Sequence, residues 1–286
     1  MKPHDALEQF QEATTFHADR NVHAFYNAIS VDDYEDTRRL YPHWTGRRDK
    51  QGQPIMIFDL AHMKIEAMTR WRETRNLPCG DASATSSPDM AQRACVFNDG
   101  LTRFILPLCT AMTDRPDSSI PVTKSTCLVD GSALSLKQAW NLRDFAQEVS
   151  WIFSTCYPET ISHIILCNAP SSFALIWNVL KSFVDPRMAE KLVILKSAEV
   201  YSTLEKYIDH VNIPKQFGGE LAFQHGMLPD LDEGIRQTLF WIDSKNRLPP
   251  GPLKWVQDGG NRKAIATGSA GGIQRAEEIA VLRKSE

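Results

Sequence analysis

The chain has 286 residues, 42% of them hydrophobic, with a formal net charge of −3 and a pI near 6.3. That length suits one large domain with an appendage, or two small ones, and the apolar fraction is enough for a substantial core. The near-neutral balance gives no global positive field for nucleic acid or an anionic bilayer, and no apolar run reaches the length of a membrane span, so any membrane contact is peripheral.

The N-terminal MKPHDALEQF is polar and lacks the apolar centre of a secretory signal, which predicts a cytoplasmic setting. Residues 5–29 predict one amphipathic helix or two short ones, with Leu7, Phe10, Phe16 and Phe25 as apolar points. Residues 34–48 read as irregular, ending in Arg47-Arg48-Asp49-Lys50 and a turn at Gln51-Gly52. A short strand is expected over 55–60, a helix over 64–75 and a Ser/Pro/Gly-containing loop over 77–89. A helix over 90–109 carries Ala94, Phe97, Leu101, Phe104 and Ile105, and 110–124 is a second loop.

Residues 126–129 form a predicted buried strand ending at Asp130-Gly131, followed by a long helix over 134–156. A strand over 161–167, an apolar helix over 171–184, a strand over 192–195, a polar helix and a Gly218-Gly219 turn come next. Alternating strands and helices predict crossover units and a largely parallel sheet, and continuous runs such as Ile164-Ile165-Leu166 fit strands covered on both faces. After Phe223 the pattern decays: a helix within 230–243, a break at LPPGP (248–252), a hairpin around Asp258-Gly259-Gly260 and a final mixed-charge helix.

The helix over 171–184 is the most telling element. Phe173, Ile176, Trp177, Leu180, Phe183 and Val184 form one stripe, while Leu175 and Val179 fall on another face. A helix apolar most of the way round is either sandwiched in a core or covers something apolar that is not protein.

Around it stand Tyr157-Pro158-Glu159, Ile164 to Leu166, Asn168-Ala169-Pro170, Lys181-Ser182-Phe183, Asp185-Pro186 and Pro214 to Gly219. Tyr41-Pro42 and Arg48 to Ile55 precede them. In this order the motifs resemble the CRAL-TRIO lipid-binding domain, in its phosphatidylinositol/phosphatidylcholine transfer protein branch, over about residues 6–223. The resemblance implies an α/β fold: a mostly parallel sheet covered by helices, with an apolar pocket closed by a gate helix, here 171–184. It divides the chain into a truncated N-terminal helical region (1–45), the lipid-binding domain (46–223) and a C-terminal extension (224–286).

Its implied ligand is a phospholipid or another lipophilic molecule, enclosed by Phe173, Ile176, Trp177, Leu180, Phe183 and Val184. Two hydroxyl side chains hold the phosphatidylcholine headgroup in the family; here those positions are Phe153 and Thr155, and only Thr155 keeps a hydroxyl. Trp151, Phe104 and Tyr157 are candidate aromatic faces for choline. The family's inositol site has a Lys after the Gly-Gly turn, where this chain has Glu220, a reversal that repels a phosphoinositol group. The family's N-terminal segment is largely absent, as expected of a misassigned start or a shortened paralogue. Arg47, Arg48 and Lys50 form a candidate membrane-docking patch, each charge worth about 1 kcal/mol near an anionic surface; the plainer reading is a solvated face.

The physical demand on a lipid carrier is severe. Two acyl chains with on the order of 30 methylenes represent roughly 25 kcal/mol of hydrophobic transfer, so a carrier must enclose nearly all of that surface and open to release it. Catalysis has little support. Thr267-Gly268-Ser269-Ala270-Gly271 lacks the first glycine of a nucleophile elbow, and there is no phosphate-binding glycine loop. The eight histidines are scattered, His163 within a strand and Asp130 at a turn both read as structural, and the six cysteines form no CxxC pair, so neither metal nor cofactor is expected. The expectation is a monomeric, non-catalytic lipid binder, cytoplasmic and transiently at membrane surfaces, with no nucleic-acid partner. The alternatives are an interaction module with a collapsed pocket, a degenerate product and, last, an enzyme.

Overall fold

The structure, a computed structural model, describes residues 3–75 and 90–282; the expected loop at 77–89 lies outside the described residues. Helices α1 (Pro3–Asp19) and α2 (Val22–Tyr26) are separated at Asn21, whose φ of 47° is left-handed. Residues 34–48, expected to be irregular, instead contain most of α3 (Val31–Arg38) and strand β1 (His43–Arg48). Helix α3 offers only Val31 and Tyr34 as apolar residues, so it has no visible periodicity. Its start is fixed by the Ser30 hydroxyl, which accepts the Asp33 N–H at 3.0 Å, and by Asp32 and Asp33 in the first turn.

Strand β1 turns at Gly52 (φ 78°) into β2 (Pro54–Asp59). Then follow α4 (Ile65–Arg75), α5 (Met90–Gly100), a π-helical turn at Leu101–Ile105 and α6 (Leu106–Thr110). Strand β3 (Ser125–Asp130) leads to α7 (Leu136–Trp151), a second π-helical turn at Ile152–Cys156 and β4 (Ile161–Cys167). Helices α8 (Phe173–Leu180) and α9 (Pro186–Ala189), strand β5 (Leu192–Ile194) and α10 (Ser197–Tyr207) complete the αβ region. Strands β2 to β5 are parallel and β1 is an antiparallel edge, in the order β1-β2-β3-β4-β5.

The sheet is covered on both faces, and the strand alternation sorts its side chains. Ile55, Ile57, Leu128, Ile165 and Cys167 pack under Val200, Leu204 and Ile208 of α10 and its continuation. Met56, Phe58, Cys127, Val129 and Leu166 face the larger core shared with α5, α7 and α8.

The C-terminal part departs from expectation. The helix expected within 230–243 is only α11 (Glu233–Thr238), which passes into β6 (Leu239–Trp241). The hairpin of β7 (Leu253–Asp258) and β8 (Asn261–Ala266) forms as expected around Gly259 and Gly260, and a small pair, β9 (Ser269–Ala270) and β10 (Ile273–Gln274), follows. The expected final helix is strand β11 (Glu277–Leu282), inserted between β6 and β8. Its buried Ala280 and Leu282 alternate with more exposed neighbours, and two-sided pairing overrides a weak local preference. Ala264, Ala266, Ala280 and Leu282 join the same apolar cluster as the first sheet.

Candidate functional site

The site is built on the sheet face that carries Met56 and Phe58. Opposite it runs the helix from Met90 to Thr110, widened at 101–105. Pro107 has no N–H, and in a regular helix its ring crowds the Arg103 carbonyl four residues back, a strain that the π turn relieves. Between helix and sheet lies a cavity of about 60 Å³ lined by Tyr34, Trp44, Met56, Phe97, Leu101, Phe104, Leu248 and Leu253, among others. The C-terminal extension closes it: Trp255 stacks on Phe104 at 5.1 Å and 15°, and its Nε1 donates to the Phe104 carbonyl at 3.0 Å. The Tyr26 hydroxyl donates to the Leu253 carbonyl at 2.5 Å. These walls come from four distant stretches of chain, and of them only Phe97, Leu101 and Phe104 had a visible signal, their helical spacing.

Buried polar groups at the cavity are satisfied. Arg38 donates to the Gly226 carbonyl at 2.8 Å and pairs with Glu35. His43 accepts the Gly226 N–H on Nε2 at 3.0 Å, which leaves its Nδ1 to donate to the Tyr41 carbonyl at 3.1 Å. Burial, with His225 packed edge-on at 4.7 Å, lowers the His43 pKa to about 3, so the ring is neutral.

Helix α8 lies on α7 with Phe173 and Ile176 buried, Trp177 and Leu180 half-buried, and Leu175 58% exposed. It is shorter than the expected 171–184. Pro186 excludes the helical conformation at Asp185, which is extended (ψ 133°) and caps α9. Phe183 and Val184 therefore sit in the following turn, Val184 against the core and Phe183 half-buried. Both ends of α8 are anchored. Before it, Asn168 (φ 56°) turns the chain and the Ala169 N–H bonds the Leu195 carbonyl at 2.9 Å; after it, the Asp185 N–H donates to Ser150 Oγ at 2.7 Å.

The expected headgroup residues do not converge on one point. Phe153, Thr155 and Tyr157 are buried in or beside the second π turn. Phe153 and Ser154 also border an outward cleft of about 440 Å³ with Gln9, Arg187 and Lys191. Trp151 faces α1, edge-on to Phe16 at 4.8 Å, with Nε1 donating to Glu12 at 3.3 Å. The Tyr157 hydroxyl donates within 2.8 Å of Asp99 Oδ1 and 2.7 Å of the Cys95 carbonyl, and Asp99 also accepts from Arg103 Nε at 2.8 Å. Asp99 thus links the two π turns, a feature with no sequence signature.

Arg47 and Arg48, expected at a docking patch, direct their charge inward. Arg47 pairs with Asp230; Arg48, 10% exposed, binds Asp114 at 2.6 Å and Asp232 at 2.8 Å, and these carboxylates raise its pKa further. Lys50 donates to the Glu205 carbonyl at 2.6 Å. Their partners lie far along the chain, which no local reading shows. Glu220, 65% exposed, lies 3.5 Å from His210. Asp130 serves the turn after β3, accepting from Ser132 N–H at 3.0 Å and Gln216 at 3.2 Å, and His163 packs on Tyr207 at 5.4 Å.

The mostly parallel sheet is thus covered on this face by α5, α7 and α8, with α8 packed on α7 and tied down at both ends. The CRAL/TRIO domain profile matches residues 39–219, and the chain belongs to that family. It is 23% identical over 215 residues to the "SEC14 cytosolic factor" of Candida glabrata, covering 75% of this chain and 65% of that protein. It is 25% identical over 248 residues to the "Phosphatidylinositol/phosphatidylcholine transfer protein SFH11" of Arabidopsis thaliana, covering 81% and 61%. The crystal structure of Sfh5 aligns with a TM-score of 0.45 and 12% identity over 68% of this chain and 61% of that one. The chain thus spans under two thirds of the length of these relatives.

Proposed function

We propose that this chain binds one phospholipid, or a lipophilic molecule of similar size, between the sheet face of Met56 and Phe58 and helix α8, and carries it between membranes without covalent chemistry on it. The observation that carries this reading is α8 itself: a short helix with apolar side chains both on the core and in solvent, bounded by a turn at each end. A cavity of about 60 Å³ holds about two waters, at ~30 Å³ each. A ligand of drug size or larger needs roughly 300–1,000 Å³, so loading requires the fold to open; α8 lies outside the cavity's lining, and on this reading its outward swing makes the added room. Displacing α8 exposes Phe173 and Ile176 at about 1.5–3 kcal/mol each, a cost that burial in a bilayer surface offsets. Among the described residues no helix is long and apolar enough to cross a membrane, and the proposed encounter is peripheral.

The relatives' names supply the substrate class, phosphatidylinositol and phosphatidylcholine, and a cytosolic setting. Glu220 in place of a basic residue favours a zwitterionic headgroup over phosphoinositol. Residues 46–223 are the carrier domain on this reading, and 224–286 form a brace that closes the cavity through Trp255 and Leu253. The test is native mass spectrometry of the purified protein with lipid extraction from the same sample. A one-to-one phospholipid adduct supports the carrier; a lipid-free mass that persists after incubation with mixed vesicles overturns it and favours an interaction module.

A further inference from the structure

Residues 224–229 form a strap between two firm anchors. Before it, Leu221 and Phe223 are buried with Ile55, Ile57 and Leu204; after it, the Asp230 N–H donates to the Thr45 carbonyl at 2.8 Å. The strap is a wall of two spaces at once. Leu228 and Pro229 line the cavity, while Leu228, Leu248 and Pro249 also line an outer groove of about 430 Å³ that carries Lys245 and Arg247. Side chains from elsewhere hold the strap down. Arg38 donates to the carbonyls of Gly226 and Met227. His43 Nε2 accepts the Gly226 N–H at 3.0 Å, and His225 Nδ1 accepts the Asp59 N–H at 3.3 Å while its Nε2 donates to the Arg39 carbonyl at 2.9 Å. Each imidazole therefore turns a bare nitrogen to a backbone N–H, and a proton there replaces an acceptor by a donor. Gly226, with a φ of 88°, gives the strap a hinge that side-chain-bearing residues rarely supply.

We propose that this strap is a second door to the cavity, latched by neutral His43 and His225, which acid opens towards the outer groove. The charged and titratable neighbours of the latch come from three elements. At and just after the end of β2, His62 stacks on His225 at 4.4 Å and 25°, and its Nδ1 lies 3.1 Å from the Asp59 carboxylate. From α3 come Arg38, paired with Glu35, and Arg39, paired with Asp36 at 3.1 Å. From β1 comes His43 itself, edge-on to His225 at 4.7 Å. A proton on either latch ring thus meets another imidazole and Arg38, with Asp59 opposing them. Burial lowers the His225 pKa, the Arg39 carbonyl and Asp59 work against it, and His62 and Arg38 lower it further. Burial, His225 and Arg38 bring His43 to about 3.

Both folded values lie below that of a free imidazole, about 6.5, so the closed strap excludes protons that the open strap binds. The latch is whole above that pH and weakens as pH falls below it. For His43 alone, going from pH 7 to pH 5 shifts the strap towards open by about twentyfold. Withdrawing Leu228 from the partition it shares with Leu248 and Pro249 joins the cavity to the groove, which by itself reaches the roughly 300–1,000 Å³ of a ligand site. Lys245 and Arg247 set positive charge at that mouth, where a phosphate-bearing headgroup would emerge. The negative potential of an anionic bilayer concentrates protons at its surface, so the door is biased to open where a ligand is delivered. Only the passage of a lipid through the door rests on the carrier reading; the acid-released latch does not.

The test is hydrogen–deuterium exchange of the full chain at pH 7 and pH 5, with peptide rates corrected for the pH dependence of intrinsic exchange. Peptides over 224–229 should exchange about twentyfold faster at pH 5, while those over β3 and α8 change by less than about twofold. The double variant His43→Gln/His225→Asn offers an amide oxygen in place of each acceptor nitrogen and takes up no proton, so its strap should exchange alike at both pH values. His225→Asn alone, at a half-buried position, should reduce the acid response and serves if the double variant does not fold. In a second arm, wild type loaded with pyrene-labelled phosphatidylcholine should release it to unlabelled vesicles severalfold faster at pH 5 than at pH 7. An acid-opened strap with release independent of pH supports the latch and places the failure in the carrier reading. Equal strap exchange at both pH values in wild type, or an acid response as large in the double variant, overturns the proposal.

Discussion

Replacing Trp177 by Asp puts a carboxylate on the face of α8 that stacks on Phe173 at 6.2 Å and 19°. Trp177 is half-buried, so its loss removes about half of the ~1.5–3 kcal/mol of a fully buried large side chain, plus about 0.5–1 kcal/mol of ring contact. The sum, about 2 kcal/mol, shifts α8 from closed to open by about thirtyfold. The carboxylate adds a further penalty of several kcal/mol if α8 closes over acyl chains, a low-dielectric setting for a charge. Lipid occupancy in native mass spectra should therefore fall to about a tenth of wild type or less. The melting temperature should drop by only about 2–4 °C, since the strands and α10 are untouched. Trp140→Asp is the matched control: Trp140 is 56% exposed on α7, and the same charge there should leave occupancy unchanged. Wild-type occupancy in Trp177→Asp would refute the assignment of α8 as the lid.

Three further outcomes follow from particular contacts. His43 has a folded pKa near 3 against 6.5 unperturbed, so the unfolded chain binds the extra proton and stability present above pH 6.5 is lost as pH falls below it. Urea titrations should show a loss of roughly 2 kcal/mol between about pH 6.5 and pH 5, reduced in His43→Gln; equal slopes in both proteins contradict the burial argument. Gly219→Ala places a Cβ 2.1 Å from the Ile213 carbonyl oxygen, and a cost of about 3 kcal/mol or more should appear as a lowered denaturation midpoint. Glu220→Lys reverses an exposed charge beside the Gly-Gly turn and should raise the phosphatidylinositol fraction of extracted lipid severalfold; an unchanged lipid profile places the headgroup elsewhere.

The αβ core was legible because its strands are continuous apolar runs and its helices keep strong stripes: β3, β4 and α7 lie within a few residues of their expected bounds. Elements set by pairing rather than composition were not. Helix α3 is too acidic to show a stripe, and β11 becomes a strand only because β6 and β8 flank it. The site was half visible. The gate stripe stands in the sequence, but its end at Leu180 depends on the Asp185-Pro186 stop, which the sequence already held and periodicity overrode. The neutralised Arg47 and Arg48, the Asp99 link between the π turns and the C-terminal wall of the cavity all join residues far apart in the chain.

The central claim is best tested by location. A phosphatidylcholine with a photoreactive diazirine near the end of one acyl chain should be loaded, irradiated and mapped by peptide mass spectrometry. The account predicts adducts on the sheet face and its roof, at Met56, Phe97, Phe104, Phe173 or Ile176. Adducts confined to the outer surface, at Phe240, Ile273 or α10, would contradict it.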